Sequence, residues 1–512
     1  MILRKRTFDS SDAPKSIVGL FSVASCFYEA FFEFITLFSL LYVQLASPIS
    51  RGGPEQYRLK LLVITFGLVI VKILVGLGYT FMGYVIDKRD YPLGRYRTFI
   101  LAGSTLTTFF FCILFFVTPI FDGWLYVFMF LLFYFLTYLC YSINDVAFFS
   151  YMNTFTSDEK KKSTYSSIIN SIGVFGAYAT ASLSPSITAG DAKRNLTLFA
   201  FVLVVFYYVF QLLLGIFMKE RKSSPVLLEK ESREMVFSPL RLCFRDRQVL
   251  LTMFVFLLLF TAQDLVIGNS ANYFYYEFGY GGFSVPGLDG GLSGGRISFF
   301  FTLFFGIGNA LSGFCYPLFA KKMNKKQILI VFGSLICVVY FLLFFFGFRR
   351  GNEFFLCFLS FALSFVHGVI YTPLFVNCFE LREYYQAKTG LDKNGSIQGL
   401  RGSLPSIANA VQVLFFYFFL SSSGLMDVNE TIASFEACNA SGSCFGSISD
   451  MNEGFIRNID VYSKNIYLSS MTFLPLVLTL LSVILTVLFV KVNDERFYCQ
   501  CLMKIKEQEK TK

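Results

Sequence analysis

The chain of 512 residues is short of charge: Asp, Glu, Lys and Arg together make up 15% of it, against about a quarter in ordinary soluble domains. That deficit argues against a conventional soluble enzyme. Histidine and tryptophan occur once each, as His367 and Trp124. One histidine leaves a single candidate base for a hydrolytic triad, and it sits inside an apolar run. HExxH, CxxC and Cys/His clusters are all missing, so no protein-held metal and no cofactor are expected. The phosphate-loop pattern GxxxxGK[ST] is missing too, which argues against ATP hydrolysis. Nothing at the N-terminus has the short apolar core and small-residue cleavage site of a signal peptide.

What is present is apolar. Hydrophobic residues make up 55% of the chain, mean hydropathy is +0.59, and Phe alone occurs 67 times. A membrane-crossing helix needs roughly 20 mostly apolar residues. The uncharged stretches 98–121, 123–144, 328–347 and 468–490 each meet that length. Twelve spans are expected, centred near residues 30, 72, 108, 136, 176, 207, 262, 308, 338, 367, 409 and 479. The net charge of +10 does not point to nucleic acid, because its distribution follows the membrane. With twelve spans both termini share one side, and that side holds most of the 44 Lys and Arg residues. The positive-inside rule then places both termini in the cytoplasm. A plasma or inner membrane location is expected, and so is a monomer in contact with lipid.

The charged segment 219–248 falls midway and reads as a cytoplasmic linker. It divides the chain into 1–218, six spans, and 249–512, six more spans with an outer loop near 422–466 and a cytoplasmic tail. Two tight basic hairpins occupy matching places in the halves: "DKRDYPLGRYR" at 87–97 and "AKKMNKKQ" at 320–327. Two halves with matching hairpins suggest a parallel repeat. The outer loop carries the sequons Asn429-Glu-Thr and Asn439-Ala-Ser. It also carries Cys438 and Cys444, which either close a small disulfide or stay free thiols. The other ten cysteines read as small apolar filler. Trp124 opens the fourth span, where an interfacial anchor belongs.

An ionisable side chain inside hydrocarbon costs at least ~2.5 kcal/mol and turns toward a cavity or a partner. The polar residues within spans are therefore the functional candidates. Glu29 and Glu33 lie one turn apart on span 1, and Lys72 lies on span 2. Tyr141, Asn144 and Asp145 end span 4, and Asn170 lies in span 5. Span 7 carries Gln263, Asp264 and Asn269, and span 11 carries Arg401. One reading joins them around a central wet site. Glu29, Glu33 and Lys72 then form a coupling or charge-pair group, and Asp145, Tyr141, Asn170, Gln263, Asp264 and Arg401 line the substrate site. The other reading is that these groups only lock helices together. His367 reads as a helix-packing residue.

Three stretches carry a family resemblance. In "MGYVIDKRDYPLGRYRTF" (82–99), Gly83, Asp87, Gly94, Arg95, Tyr96 and Arg97 match without a gap the span 2–3 hairpin of the glycoside–pentoside–hexuronide cation symporters. That is the melibiose-permease group of the major facilitator superfamily. "INDVAFFSYMNTFTSDEKKKSTYSSIINSIG" (143–173) resembles its span 4–5 passage. "FELREYYQAKTGLDKNGS" (379–396) resembles its Asp-x-x-Asp-Tyr-Gly-Glu-x-Lys-Thr-Gly loop through Glu380, Glu383, Tyr384, Lys388, Thr389, Gly390 and Gly395. The resemblance implies an all-α fold of twelve membrane helices in two six-helix bundles. It puts the family's sugar-binding aspartate at Asp145, and a cytoplasmic gate at Gly83, Asp87, Gly94, Arg95 and Arg97. The departures are specific. The family's two cation-binding acids of span 2 fall on Val75 and Tyr79, its span 5 arginine falls on Asn170, and its span 11 lysine on Ser406. The span 1 acid falls on Tyr28 or, one residue on, Glu29.

The function so implied is secondary transport of a small solute, a sugar or glycoside, by alternating access. Coupling falls to a proton or a sodium ion, or is absent. Two alternatives stay open: a carrier of lysolipids or other amphiphiles, and a receptor or scaffold on a transporter fold.

Overall fold

A computed structural model describes residues 7–8, 13–45, 54–88, 93–152, 155, 159–189, 191–218, 220–221, 245–389, 394–440 and 447–491, with a few positions between 494 and 504. Most of the expected linker, 222–244, lies outside the described residues. So do Cys444 and the side chains of Gly83, Asp87, Arg95 and Asn170.

Span 1 is α1 (Lys15–Glu33), a π-helical turn (Phe34–Phe38) and α2 (Ser39–Leu45). The first half continues with α3 (Pro54–Lys88), α4 (Arg95–Cys112), α5 (Gly123–Met152), α6 (Glu159–Thr188) and α7 (Ala192–Phe217). The second half holds α8 (Arg247–Phe278), α9 (Gly294–Ala320), α10 (Lys325–Leu342), α11 (Glu353–Thr389) and α12 (Asn394–Ser422). It ends with α13 (Met426–Ala440), α14 (Ile448–Gly454), α15 (Val461–Ser469) and α16 (Phe473–Phe489). Eleven of the twelve expected spans are long and apolar enough to cross a membrane. The remaining one, α6, has 30 residues but is diluted by serine and threonine. Thr7–Phe8 and Glu220–Arg221 pair as a two-residue parallel ladder, a minor departure from an all-α chain.

Packing shows the repeat more clearly than sequence does. In the first half α1 lies against α6 and α7, α3 against α5, and α4 against α5. In the second half α8 lies against α12 and α16, α9 against α11, and α10 against α11. Each pair is its counterpart displaced by six spans. Even a local irregularity repeats. The 18-residue helices α4 and α10 both run on into five-residue π turns, Ile113–Val117 and Leu343–Gly347. The halves meet along two equivalent seams, α3 with α12 and α6 with α9.

Backbone chemistry explains several of these elements. Asp191 caps α7, accepting from the Arg194 amide at 3.1 Å, and Asn324 and Gln327 make a capping box on α10. Gly94 enters α4 with φ 118°, a backbone that side chains strain against. At Gly176 the α6 backbone presses on α1: a Cβ there would stand 2.0 Å from the Cys26 carbonyl oxygen. Bare backbone is what permits this close crossing.

The expected loop between spans 11 and 12 is helical, in α13 and α14. It is too polar to show an apolar period, yet Ser447 and Asp450 form a capping box on α14. The insert docks on both halves at the face away from the termini, here the distal face. The Glu436 carboxylate, 2% exposed, accepts from the Ala192 amide at 2.8 Å and from the Tyr280 hydroxyl at 2.8 Å. Arg58 pairs with Asp427. Asn429 is buried and accepts from the Tyr276 hydroxyl at 2.7 Å, so the folded state shields that sequon, while Asn439 is exposed. Cys438 is disulfide-bonded; its expected partner Cys444 is outside the described residues.

At the terminal face the family-like loop has a visible structural task. Asp246 caps α8, accepting from the Gln248 amide at 2.9 Å and the Val249 amide at 3.3 Å. Lys388 of α11 donates to it at 2.7 Å. Burial opposes ionisation of Asp246, but the Lys388 ammonium and the two amides outweigh it and hold the carboxyl below its usual range. A depressed carboxyl adds stability above its unfolded-state pKa and loses it as pH falls through the folded-state value. Thermal unfolding followed between pH 7 and about pH 3, below the ordinary Asp pKa, should therefore show a steeper acid loss in the wild type than in Asp246→Asn. Equal slopes would mean that the contact carries no pH-linked stability.

Candidate functional site

The expected residues fall into two neighbouring groups at the centre. The first joins α1, α3 and α5. Tyr28 donates its hydroxyl to the Asp145 carboxylate, and Tyr79 of α3 also hydrogen-bonds Asp145. Asp145 acts on Glu29 as a like charge. Tyr141 stacks on Tyr28 with centroids 4.9 Å apart and on Phe32 at 5.2 Å. Phe148 closes the other side of Tyr28 at 4.6 Å. Asp145 thus stands at the end of an aromatic wall. The Arg401 guanidinium of α12 acts on it from the opposite half.

The second group crosses the halves. Lys72 of α3, 1% exposed, donates to the Asn409 side chain of α12 and to the Thr36 carbonyl at 3.2 Å. The carbonyl is available because the π turn in span 1 loosens the backbone ladder there. Asp264 of α8 interacts with the Lys72 ammonium and hydrogen-bonds Asn409. Glu33 faces Asp264 and Glu29. Beside this group, Gln263 donates to the Tyr178 hydroxyl at 2.7 Å and Asn309 does so at 3.1 Å. Glu29, Glu33, Asp145, Gln263, Asp264 and Arg401 are all partly exposed, while Lys72 and Tyr141 are sealed.

Hydrogen bonds between the halves run from this level to the distal face. Tyr138 meets Ser406 at 3.4 Å, Tyr275 donates to the Pro185 carbonyl at 2.7 Å, and Ser186 donates to the Gly295 carbonyl at 2.9 Å. The Phe283 amide reaches the Ser186 carbonyl at 3.2 Å. The distal side is closed.

Of the expected gate residues, Arg97 is buried inside the first half. It donates to the Gly215 carbonyl at 2.5 Å and the Ile216 carbonyl at 3.4 Å, satisfying the last turn of α7. Gly94 forms the turn before α4. In the second hairpin Lys325 pairs with Glu380 at 2.5 Å. His367 lies away from the centre, with Tyr340 at 3.2 Å and Thr479 at 3.4 Å from its Nε2. Sequence reasoning did not pick out Tyr28, Tyr79, Tyr178 or Asn409 as site residues. The register ambiguity at Tyr28 and Glu29 was a usable signal for the first: both reach Asp145.

Helix pairs that recur at a displacement of six spans and meet on two seams around a group of charged side chains are the architecture of a polytopic membrane transporter. Residues 54–494 match the family described as MFS/sugar transport protein, and the chain belongs to that family. No individual curated protein matches it. The protein is an integral membrane transporter.

Proposed function

We propose that this transporter carries a sugar or glycoside, with Asp145 accepting hydrogen bonds from substrate hydroxyls. The observation that carries the reading is the Asp145 carboxylate, held by Tyr28 beside a face of stacked rings and confronted by Arg401 from the other half. Carboxylates beside aromatic faces suit sugars, which present hydroxyl edges and apolar ring faces. Tyr141, Gln263, Asp264, Arg401 and Asn170 complete the proposed lining. Glu29 and Glu33 are the proposed coupling groups. Val75 and Tyr79 leave span 2 without a carboxylate, which favours a proton over sodium. Both termini are assigned to the cytoplasm on charge distribution, in a plasma or inner membrane, with a monomer as the working unit. The gate at 87–97 would act when the terminal side closes. A second reading, an amphiphile as cargo, is favoured by the aromatic wall of Tyr28, Phe32, Tyr141 and Phe148.

The test is uptake of radiolabelled hexoses and glycosides into proteoliposomes, with and without an inward proton gradient and with and without sodium. Sugar flux raised by the proton gradient supports the reading. Flux of a lysolipid but no sugar selects the second reading, and binding without flux would mean a receptor.

A further inference from the structure

Just distal to Lys72 is a small cavity of about 20 Å³ between the halves, room for about one water. It is lined by Thr36 and Gln44 from span 1, Gly268 and Asn272 from α8, and Gln412 and Phe416 from α12. Gln44 is 1% exposed, and neither its Nε2 nor its Oε1 has a hydrogen-bond partner. Leaving both ends of a buried amide unmade is costly, and native proteins rarely keep such groups without a use. Gln412 donates to Asn269 Oδ1 at 3.2 Å, and Asn269 donates to Ser470 at 2.9 Å. A run of uncharged amides therefore leads away from the central charges toward the distal face. Gly268 preserves the space: a Cβ there would lie 2.5 Å from Gln412 Nε2.

We infer that Gln44, Asn272 and Gln412 form a second binding site, one that receives an uncharged polyhydroxyl solute on the distal side before it reaches Asp145. The inference rests on the sugar reading above. Amides offer donors and acceptors together, which matches hydroxyls, and they bring no net charge to attract an ion. The walls belong to opposite halves, so parting the distal seam widens the cavity and closing it moves solute onward.

The experiment uses full-length protein in proteoliposomes of defined orientation, with the same hexose and glycoside panel offered from either face. Gln44→Leu should raise KM about tenfold for solute offered at the distal face, the effect of losing one hydrogen bond. KM from the terminal face and kcat should stay within about twofold, and Gln44→Asn should recover part of the loss. The thermal unfolding temperature of Gln44→Leu should hold or rise, since leucine removes an unsatisfied amide. Unchanged distal KM with a raised unfolding temperature overturns the site and leaves a structural polar defect. Equal KM changes from both faces also overturn it. Absence of wild-type flux for every panel member overturns the sugar reading and this inference with it, a result unlike either of the others.

Discussion

Asp145→Asn should reduce sugar uptake roughly 10²- to 10³-fold while leaving the folded protein in the membrane. An asparagine keeps the volume and one acceptor, so the aromatic wall around Tyr28, Phe148 and Tyr141 keeps its packing. What disappears is the charge. The Tyr28 hydroxyl then donates to a neutral oxygen, Arg401 loses the anion it faces, and substrate hydroxyls meet a weaker acceptor. Hydrogen bonds to charged groups contribute about 1.5–3 kcal/mol each, and two weakened together amount to about 3–4 kcal/mol, two to three decades in affinity or rate. Initial uptake rates normalised to reconstituted protein measure this. Uptake within about threefold of wild type would remove Asp145 from the substrate site.

The second large effect is expected at Lys72. Lys72→Met removes the cation that serves Asp264, and leaves Asn409 and the Thr36 carbonyl without their donor. Lys72 and Asp264 interact by charge without direct contact, so the cost is at most that of stranding one member of a buried ion pair, about 3–5 kcal/mol. Neutralising both members is often nearly free, because the desolvation of each charge goes away with it. Thermal unfolding in detergent should accordingly drop steeply for Lys72→Met and recover in the double variant with Asp264→Asn. Under the proposed mechanism transport should not recover, because the double variant removes both charges at this level. If the double variant is as unstable as the single, Lys72 and Asp264 are independent and the charge interaction between α3 and α8 is not an energetic unit.

The spans were legible because lipid demands long apolar runs, and these survive any tertiary rearrangement. The repeat was legible only as two basic hairpins; its real signature, matched helix pairs and matched π turns after α4 and α10, resides in packing. The helical insert was hidden because its order comes from docking. Glu436 is fixed by an amide and a hydroxyl hundreds of residues earlier, which no local pattern announces. In the site, charge gave away Glu29, Glu33, Lys72, Asp145, Asp264 and Arg401, since carboxylates and ammonium groups are expensive in hydrocarbon. Tyrosine and asparagine are cheaper there. Asn409 therefore looked like its many neighbours until the fold placed it against a charge, and Tyr28 and Tyr79 drew notice only as positions where the resembled family carries acids. Arg97 was expected at the cytoplasmic gate, and its partners, the end carbonyls of α7, have no sequence signature.

The insert of α13 and α14 also breaks the symmetry of the two halves. It is covalently part of the second, yet Glu436 and Asp427 anchor it to Ala192 and Arg58 of the first. Every excursion that admits solute from that side must strip these anchors and rehydrate a carboxylate, whereas the opposite excursion leaves them intact. On the proposed cycle the buried Glu436 contact favours the state that faces the termini.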